Sequence, residues 1–369
     1  MLLWILLLLA ASSSAAEAAE AAMAAAVRQD PGFLSVGDWG SAALGGYHQR
    51  NAMATATAMK AAQGNAAFVL STGDNFYYCG IQNTSDPQIT EDYTALFGGM
   101  GIPWYHSLGN HDYGFSPEAQ LSLNETIPGW IMDARYYHRR VVVAGDGSDG
   151  GDGGDDIAVN IIVLDTNPCV RDYRENDRRR WDPCGTEYPD CSPIAEPCRF
   201  HENILSQDCD AQLTWARETL DNITARANTG AGVTREWVFV VGHHKADEIN
   251  VADFQTTFLD DPRVHLYLNG HNHNLEHYEI NGQAKYMTTG AGGMVVIGRA
   301  HGHGHGDDDD DDDDDTHTTM VTKSIWSKVV TGYTSHTFTN NGTSLITKFW
   351  EAKVSRTPLH QFKVDLESE

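Results

Sequence analysis

Gly73-Asp74-Asn75-Phe76-Tyr77-Tyr78 follows an apolar run, residues 67–70, that reads as a buried strand. The aspartate therefore stands where a strand ends and a loop opens, a place from which a carboxylate can face a pocket. Tyr77 comes three residues later, so a single loop offers a hard anionic oxygen and a phenol to the same metal ion. Taken alone, the pattern is also that of a turn-forming or helix-capping aspartate.

Four other segments repeat the grammar of apolar run, glycine and metal-capable side chain. They are Gly37-Asp38-Trp39-Gly40, Gly109-Asn110-His111-Asp112, Gly242-His243-His244 and Gly270-His271-Asn272-His273-Asn274. The carboxyl ends of strands in an α/β sheet converge on one crevice, so five such loops would meet there. Asp38, Asp74, Tyr77, Asn110, His243, His271 and His273 form a mixed oxygen and nitrogen set, enough for two metal ions sharing a carboxylate. Asp74 is the candidate bridge, because a carboxylate between two cations offsets part of their repulsion.

The intervening chain supplies strands and crossovers. Residues 32–36 read as a first strand, 47–62 as a helix ending at Gly64, 67–70 as a second strand, 90–97 as a short helix and 104–108 as a third strand. That rhythm predicts a parallel core. Residues 134–144 and 157–165 read as antiparallel strands around a Gly/Asp-rich loop, and 210–227 as a helix with Leu213, Ala216, Leu220 and Ile223 at helical spacing. Buried strands at 237–241 and 264–268 lead to His243 and to His271 and His273, and 275–280, 285–289, 329–338 and 344–354 add more. Two sheets packed face to face with helices outside is the simplest arrangement of this α/β inventory.

At these residues the chain resembles the calcineurin-like metallophosphoesterases. Tyr77 in the second motif narrows the likeness to the purple acid phosphatases, most closely the small tartrate-resistant type 5 kind. The likeness runs from residue 32 to residue 364 apart from insertions, and takes in Val163-Leu164-Asp165-Thr166 and residues 286–293. The related serine/threonine protein phosphatases lack this tyrosine and usually carry glutamate where Asp112 stands.

The resemblance implies a four-layer α/β/β/α sandwich of two mixed sheets. It also implies one iron held by Asp38, Asp74, Tyr77 and His273, and a second metal held by Asp74, Asn110, His243 and His271. Donor chemistry agrees with this division: a deprotonated tyrosine suits a hard trivalent ion, whereas two imidazoles and an amide suit a divalent one. Fe(III) with Fe(II), Zn(II) or Mn(II) is therefore expected, and tyrosinate on iron should colour the protein purple or pink. The implied activity is that of an acid phosphatase, hydrolysing phosphate monoesters by attack of a metal-bound hydroxide in line with the leaving group.

Two histidines are candidates for catalysis. His111 resembles the family's phosphate-contacting histidine, against the alternative of a structural histidine bonded within its own loop. The segment after His243 departs from the family, which usually continues with proline and, several residues on, another histidine for the substrate. This chain has His244-Lys245-Ala246-Asp247 and no later histidine before His265. His244 either takes the proton-donor role or faces solvent. His48, His106, His138, His201, His265, His277, His336 and His360 are read as structural or exposed. Cys169 resembles one partner of the family's disulfide, but the second cysteine expected beyond His243 is missing.

Composition bounds the rest. The 369 residues are 41% hydrophobic, enough for a packed core, and carry a formal charge of −26. Nine of those charges lie in the run 307–315, and more lie in 145–156. Such acidity argues against nucleic acid or an anionic membrane as partner, and the resemblance implies small phosphate esters. Residues 1–16 read as a secretory signal, too short to span a bilayer, and 17–30 as an Ala-rich linker. A single domain is expected over 31–369, with a Cys-rich insertion at 169–209 and a disordered His/Asp-rich insertion at 300–317. Sequons at Asn83, Asn124, Asn222 and Asn341 permit N-glycans, and six cysteines suit disulfides in an oxidising compartment. Without a C-x-x-C pair a zinc knot is disfavoured, and six cysteines leave fifteen pairings open. The expected location is outside the cell or within the secretory and lysosome-vacuole pathway. Rival readings are a phosphodiesterase or nucleotide hydrolase on the same centre, and a non-catalytic metal- or mineral-binding secreted protein.

Overall fold

Fourteen strands form two seven-stranded sheets in the computed structural model, which describes residues 30–143, 156–175, 183, 198–227, 235–295, 321–353 and 357–366. In the first sheet, β1 (Gly32–Val36), β2 (Ala66–Ser71), β3 (Trp104–His106) and β4 (Trp130–Ile131) pair in parallel in sequence order. On the other side of β1 the sheet continues antiparallel through three C-terminal strands: β12 (Gly332–Thr339), β13 (Ser344–Glu351) and β14 (His360–Asp365). The second sheet joins β5 (Tyr137–Val143), β6 (Ile157–Val163), β7 (Arg235–Val241) and β8 (Leu266–Asn269). It is completed by β10 (Gln283–Thr289), β9 (Leu275–Ile280) and the edge strand β11 (Thr322–Lys328). Its centre, β6-β7-β8-β10, is parallel. Each sheet thus has a parallel core whose carboxyl ends open toward one crevice.

The inner faces of the sheets meet through aromatic rings. Phe33 of β1 lies 5.2 Å from Phe239 of β7 between ring centroids, and Phe239 lies 6.3 Å from Phe338 of β12. All three are essentially unexposed, so removing one such ring would cost about 3–5 kcal/mol. The Trp237 indole N–H closes the same interface by donating to the Gly342 carbonyl, 2.9 Å away. Outside the sheets, helix Gly46–Ala62 connects β1 to β2, and helix Cys209–Ala227 sets Ala216, Leu220 and Ile223 in one apolar cluster with Ile162, Val238 and Val240. This is the expected α/β/β/α layering of two mixed sheets.

The differences from expectation lie at the edges. Strands β4, β11 and β14 carry no strong sequence signal: the first has only two residues, and the others alternate polar residues on exposed sheet edges. Residues 90–97 yield a shorter helical turn, Ile89–Thr94. Cys169 pairs with Cys209, 40 positions on, and so takes a partner at the start of a helix rather than beyond His243. Cys79 and Cys198 are also disulfide-bonded, in accord with an oxidising compartment. Among the described residues no helix is long and apolar enough to cross a membrane. The proposed signal, nearly all of the linker and the insertion at 300–317 lie outside the described residues.

Candidate metal centre

All seven sequence-predicted ligands stand just past the carboxyl ends of parallel strands: Asp38 after β1, Asp74 and Tyr77 after β2, Asn110 after β3, His243 after β7, and His271 and His273 after β8. Four of them have left-handed backbone conformations, with φ of 55° at Asp38, 54° at Asp74, 72° at His271 and 50° at His273. The other non-glycine residues of this kind among those described are Asn281, Asn340 and Asn341, in the hairpin turns β9-β10 and β12-β13, where asparagine is at ease. At aspartate and histidine the conformation costs about 1–2 kcal/mol each, and strain gathered in one place marks a working site. Gly109 allows the loops to close on each other: a Cβ there would lie 2.1 Å from Asp74 Oδ1.

The side chains gather into two sets that share Asp74. The Tyr77 hydroxyl oxygen lies 2.7 Å from Asp74 Oδ2, 3.0 Å from Asp38 Oδ1 and 3.1 Å from His273 Nε2. One O–H cannot serve both carboxylates at once. In the second set Asn110 Oδ1 lies 3.0 Å from His243 Nε2 and 3.2 Å from His271 Nδ1, and Asp74 Oδ1 is 3.5 Å from His243 Nε2. His243 Nδ1 already donates to the Thr72 carbonyl at 2.8 Å, so in the neutral ring Nε2 presents a lone pair to the two oxygens. A lone pair of neutral His243 facing two oxygens, and one hydroxyl shared between two carboxylates, are arrangements a cation resolves. The donor types and their convergence therefore fit two metal ions.

Charge balance without a cation is uneasy. Burial pushes Asp38 well above the usual carboxylate range, with His243 opposing and Asp74 reinforcing the shift. Burial drives Asp74 the same way, but His243, His111 and the Tyr77 hydroxyl outweigh it and hold Asp74 at about 2. Burial first, and then Asp38 and Asp74, raise Tyr77 well above an ordinary phenol. Desolvation lowers His271 and His273, keeping both imidazoles neutral and ready to donate a lone pair.

A second layer holds these groups in place. The Asp112 carboxylate accepts the backbone N–H groups of Asn75, Phe76 and Gly109 together with the side-chain amides of Asn75 and Gln120, tying the Asp74 loop to the Asn110 loop. The His271 N–H donates to Asp38 Oδ2 and the His111 N–H to Asp74 Oδ1, both at 3.0 Å. The buried His111 ring donates from Nδ1 to the Tyr78 carbonyl at 2.6 Å and lies 4.4 Å from the Tyr77 ring.

His244 does not face solvent: it is 1% exposed, its ring is 4.5 Å from that of His271, and both of its nitrogens meet hydroxyl groups. The eight histidines read as structural or exposed include the buried His106, stacked 3.6 Å from Trp130, and the buried His336, stacked 4.1 Å from Phe33. Thr166 and Tyr173 have supporting positions outside the five loop motifs, and Asp112 has one inside the Asn110 motif, where it is not among the expected ligands. The one available clue was the Val163-Leu164-Asp165-Thr166 segment, which ends a strand at the same crevice.

With that geometry in place, comparison with known proteins agrees. Residues 32–275 match the calcineurin-like phosphoesterase family. The chain belongs to that family. The matched span contains every residue from Asp38 to His273, and membership makes the chain a metal-dependent phosphoesterase. Among its relatives, purple acid phosphatase 7 of Arabidopsis thaliana is 29% identical over 269 residues, 70% of this chain and 69% of that one. Tartrate-resistant acid phosphatase type 5 of Sus scrofa is 26% identical over 285 residues, 73% of this chain and 72% of that one. A solved structure described as GAP50, the anchor in the inner membrane complex of Plasmodium, superposes with a TM-score of 0.58 at 21% identity, covering 93% of this chain and 90% of that one. At that identity the likeness is one of fold alone.

Proposed function

We propose that the protein is an exported acid phosphatase that hydrolyses phosphate monoesters at a dinuclear, iron-containing centre. One observation carries this reading: the two oxygens of Asp74 face different donor sets, Oδ2 toward Tyr77 at 2.7 Å and Oδ1 toward His243 Nε2 at 3.5 Å. That disposition would let one carboxylate serve both ions. Asp38, Asp74, Tyr77 and His273 would hold Fe(III), and Asp74, Asn110, His243 and His271 a divalent ion such as Fe(II), Zn(II) or Mn(II). When bound, such a pair supplies an activated water below neutral pH and neutralises charge on the phosphoryl group. The chain's own part is to orient: His111, tied to the Tyr78 carbonyl, would position the phosphate from the Asn110 loop, and His244 would stand behind the second set.

Residues 31–369 are taken as one domain that carries the site, behind a signal at 1–16 and a linker at 17–30. Export is supported by the Cys169–Cys209 disulfide and by exposure of all four sequon asparagines, Asn83, Asn124, Asn222 and Asn341, as sites for glycans. The net charge of −26 favours small phosphate esters over nucleic acid.

Metal analysis and a visible spectrum of the purified chain test the centre. Iron with a second metal is expected, together with a tyrosinate band that disappears in Tyr77→Phe. A Tyr77→Phe protein that kept its band would refute the iron assignment. Parallel rates on a monoester and the matching diester test the substrate class, and faster cleavage of the diester would overturn it.

A further inference from the structure

Behind the His243 and His271 side of the centre lies a buried clasp that hydrolysis as outlined does not use. His244 Nδ1 is 2.8 Å from Thr166 Oγ1, and His244 Nε2 is 2.9 Å from the Tyr173 hydroxyl. Thr166 Oγ1 also accepts the backbone N–H groups of His243 and His244, both at 3.2 Å. With its two lone pairs taken, the Thr166 hydroxyl has only its proton to offer to His244 Nδ1. The neutral ring then carries its own proton on Nε2 and donates it to the Tyr173 oxygen. Both nitrogens have hydroxyl partners, which favours one ring orientation. Its centroid is 4.5 Å from that of His271 and 5.0 Å from that of His243.

The clasp is anchored from one point. Thr166 and Tyr173 flank Cys169, which the disulfide to Cys209 ties to helix Cys209–Ala227. The Cys169 carbonyl also receives the N–H groups of Asn250 and Val251, in the loop that follows His244. The segment bearing the two hydroxyls and the segment bearing His243 and His244 are therefore pinned to the same cysteine.

We propose that Thr166 and Tyr173 are positioning residues for the second metal ion, acting through His244 to set the orientation of His243 and His271. The proposal rests on the dinuclear reading above and extends it to residues that no motif marks. Partners that orient ligands from behind commonly contribute 10–100-fold to metal affinity.

The test is a titration with Zn(II) alone of the full-length chain, after a chelator has removed labile divalent metal. Calorimetry gives the dissociation constant and thermal unfolding checks the fold. Tyr173→Phe, which removes only the oxygen facing His244 Nε2, is expected to bind Zn(II) about tenfold more weakly. Thr166→Val should lose at least as much, and Thr166→Ser should bind as the unmodified chain does, because the hydroxyl is what the clasp requires. If Thr166→Val fails to fold, Tyr173→Phe decides the matter. Unchanged Zn(II) affinity in Tyr173→Phe would overturn the proposal and leave the dinuclear centre standing. An unmodified chain that took up no Zn(II) at this site would overturn the centre itself.

Discussion

The two sheets make unequal contributions to the site. Of the proposed ligands, the first sheet carries every oxygen donor, Asp38, Asp74, Tyr77 and Asn110, whereas the second carries every nitrogen donor, His243, His271 and His273. Their bracing differs as well. On the first sheet a single buried carboxylate, Asp112, gathers five N–H groups from three segments, while the histidines of the second are held by the Thr72 carbonyl, just past β2 of the first sheet, and by the Thr166, His244 and Tyr173 clasp. Hard oxygen ligands that repel one another need a rigid polar frame. Neutral imidazoles need only to be turned the right way.

Asp74→Asn should produce the largest effect, because it removes the one group common to both donor sets. Metal content should fall for both ions, and the rate on a phosphate monoester should drop by about a thousandfold or more. Loss of only one metal would mean that the halves are independent and that Asp74 does not join them. Asp112→Asn should come next: an amide cannot accept all five N–H groups, so stability should fall by about 3 kcal/mol in urea denaturation. Iron should be lost more readily than the divalent ion. Equal loss of both would erase the contrast between the two frames.

The smallest effect expected is a pH dependence built into the first sheet. His336 of β12 is buried between β1 and β13, and burial drives its pKa down to about 3. The unfolded chain takes up this proton first, so the stability is complete above the unfolded value of 6.5 and is lost as pH falls toward 3. Between pH 6.5 and pH 5 this one histidine should withdraw about 1.6 kcal/mol. His336→Gln should show a correspondingly flatter dependence in urea midpoints measured across that range. An equally steep variant would place the acid sensitivity elsewhere, with His265, lowered by burial to about 4, as the second sheet's counterpart.

The ligand loops were legible because each repeats a local pattern of apolar strand, glycine and polar side chain, and because parallel strands bring such loops together. The parallel cores followed from the same rhythm. What escaped was long-range or weakly patterned. Tyr173 and His244 meet across 71 positions and Thr166 and His244 across 78, and hydroxyl groups at those distances leave no periodic trace. Cysteine counting could not choose Cys209 for Cys169. Strand β11 was invisible because Lys323, Ser324, Ser327 and Lys328 make an exposed edge look like a loop.

The placement of β1 has a consequence for synthesis. Gly32 pairs with Ala66 on one side and with Thr337 on the other, so the strand that delivers Asp38 has one flank waiting for a strand far later in the chain. A ribosome-bound chain of 300 residues would already hold all seven ligands yet lack the strand that seats the first of them. A truncation within β12 should therefore weaken metal binding even though every proposed ligand is present, and metal analysis of the truncated chain checks it.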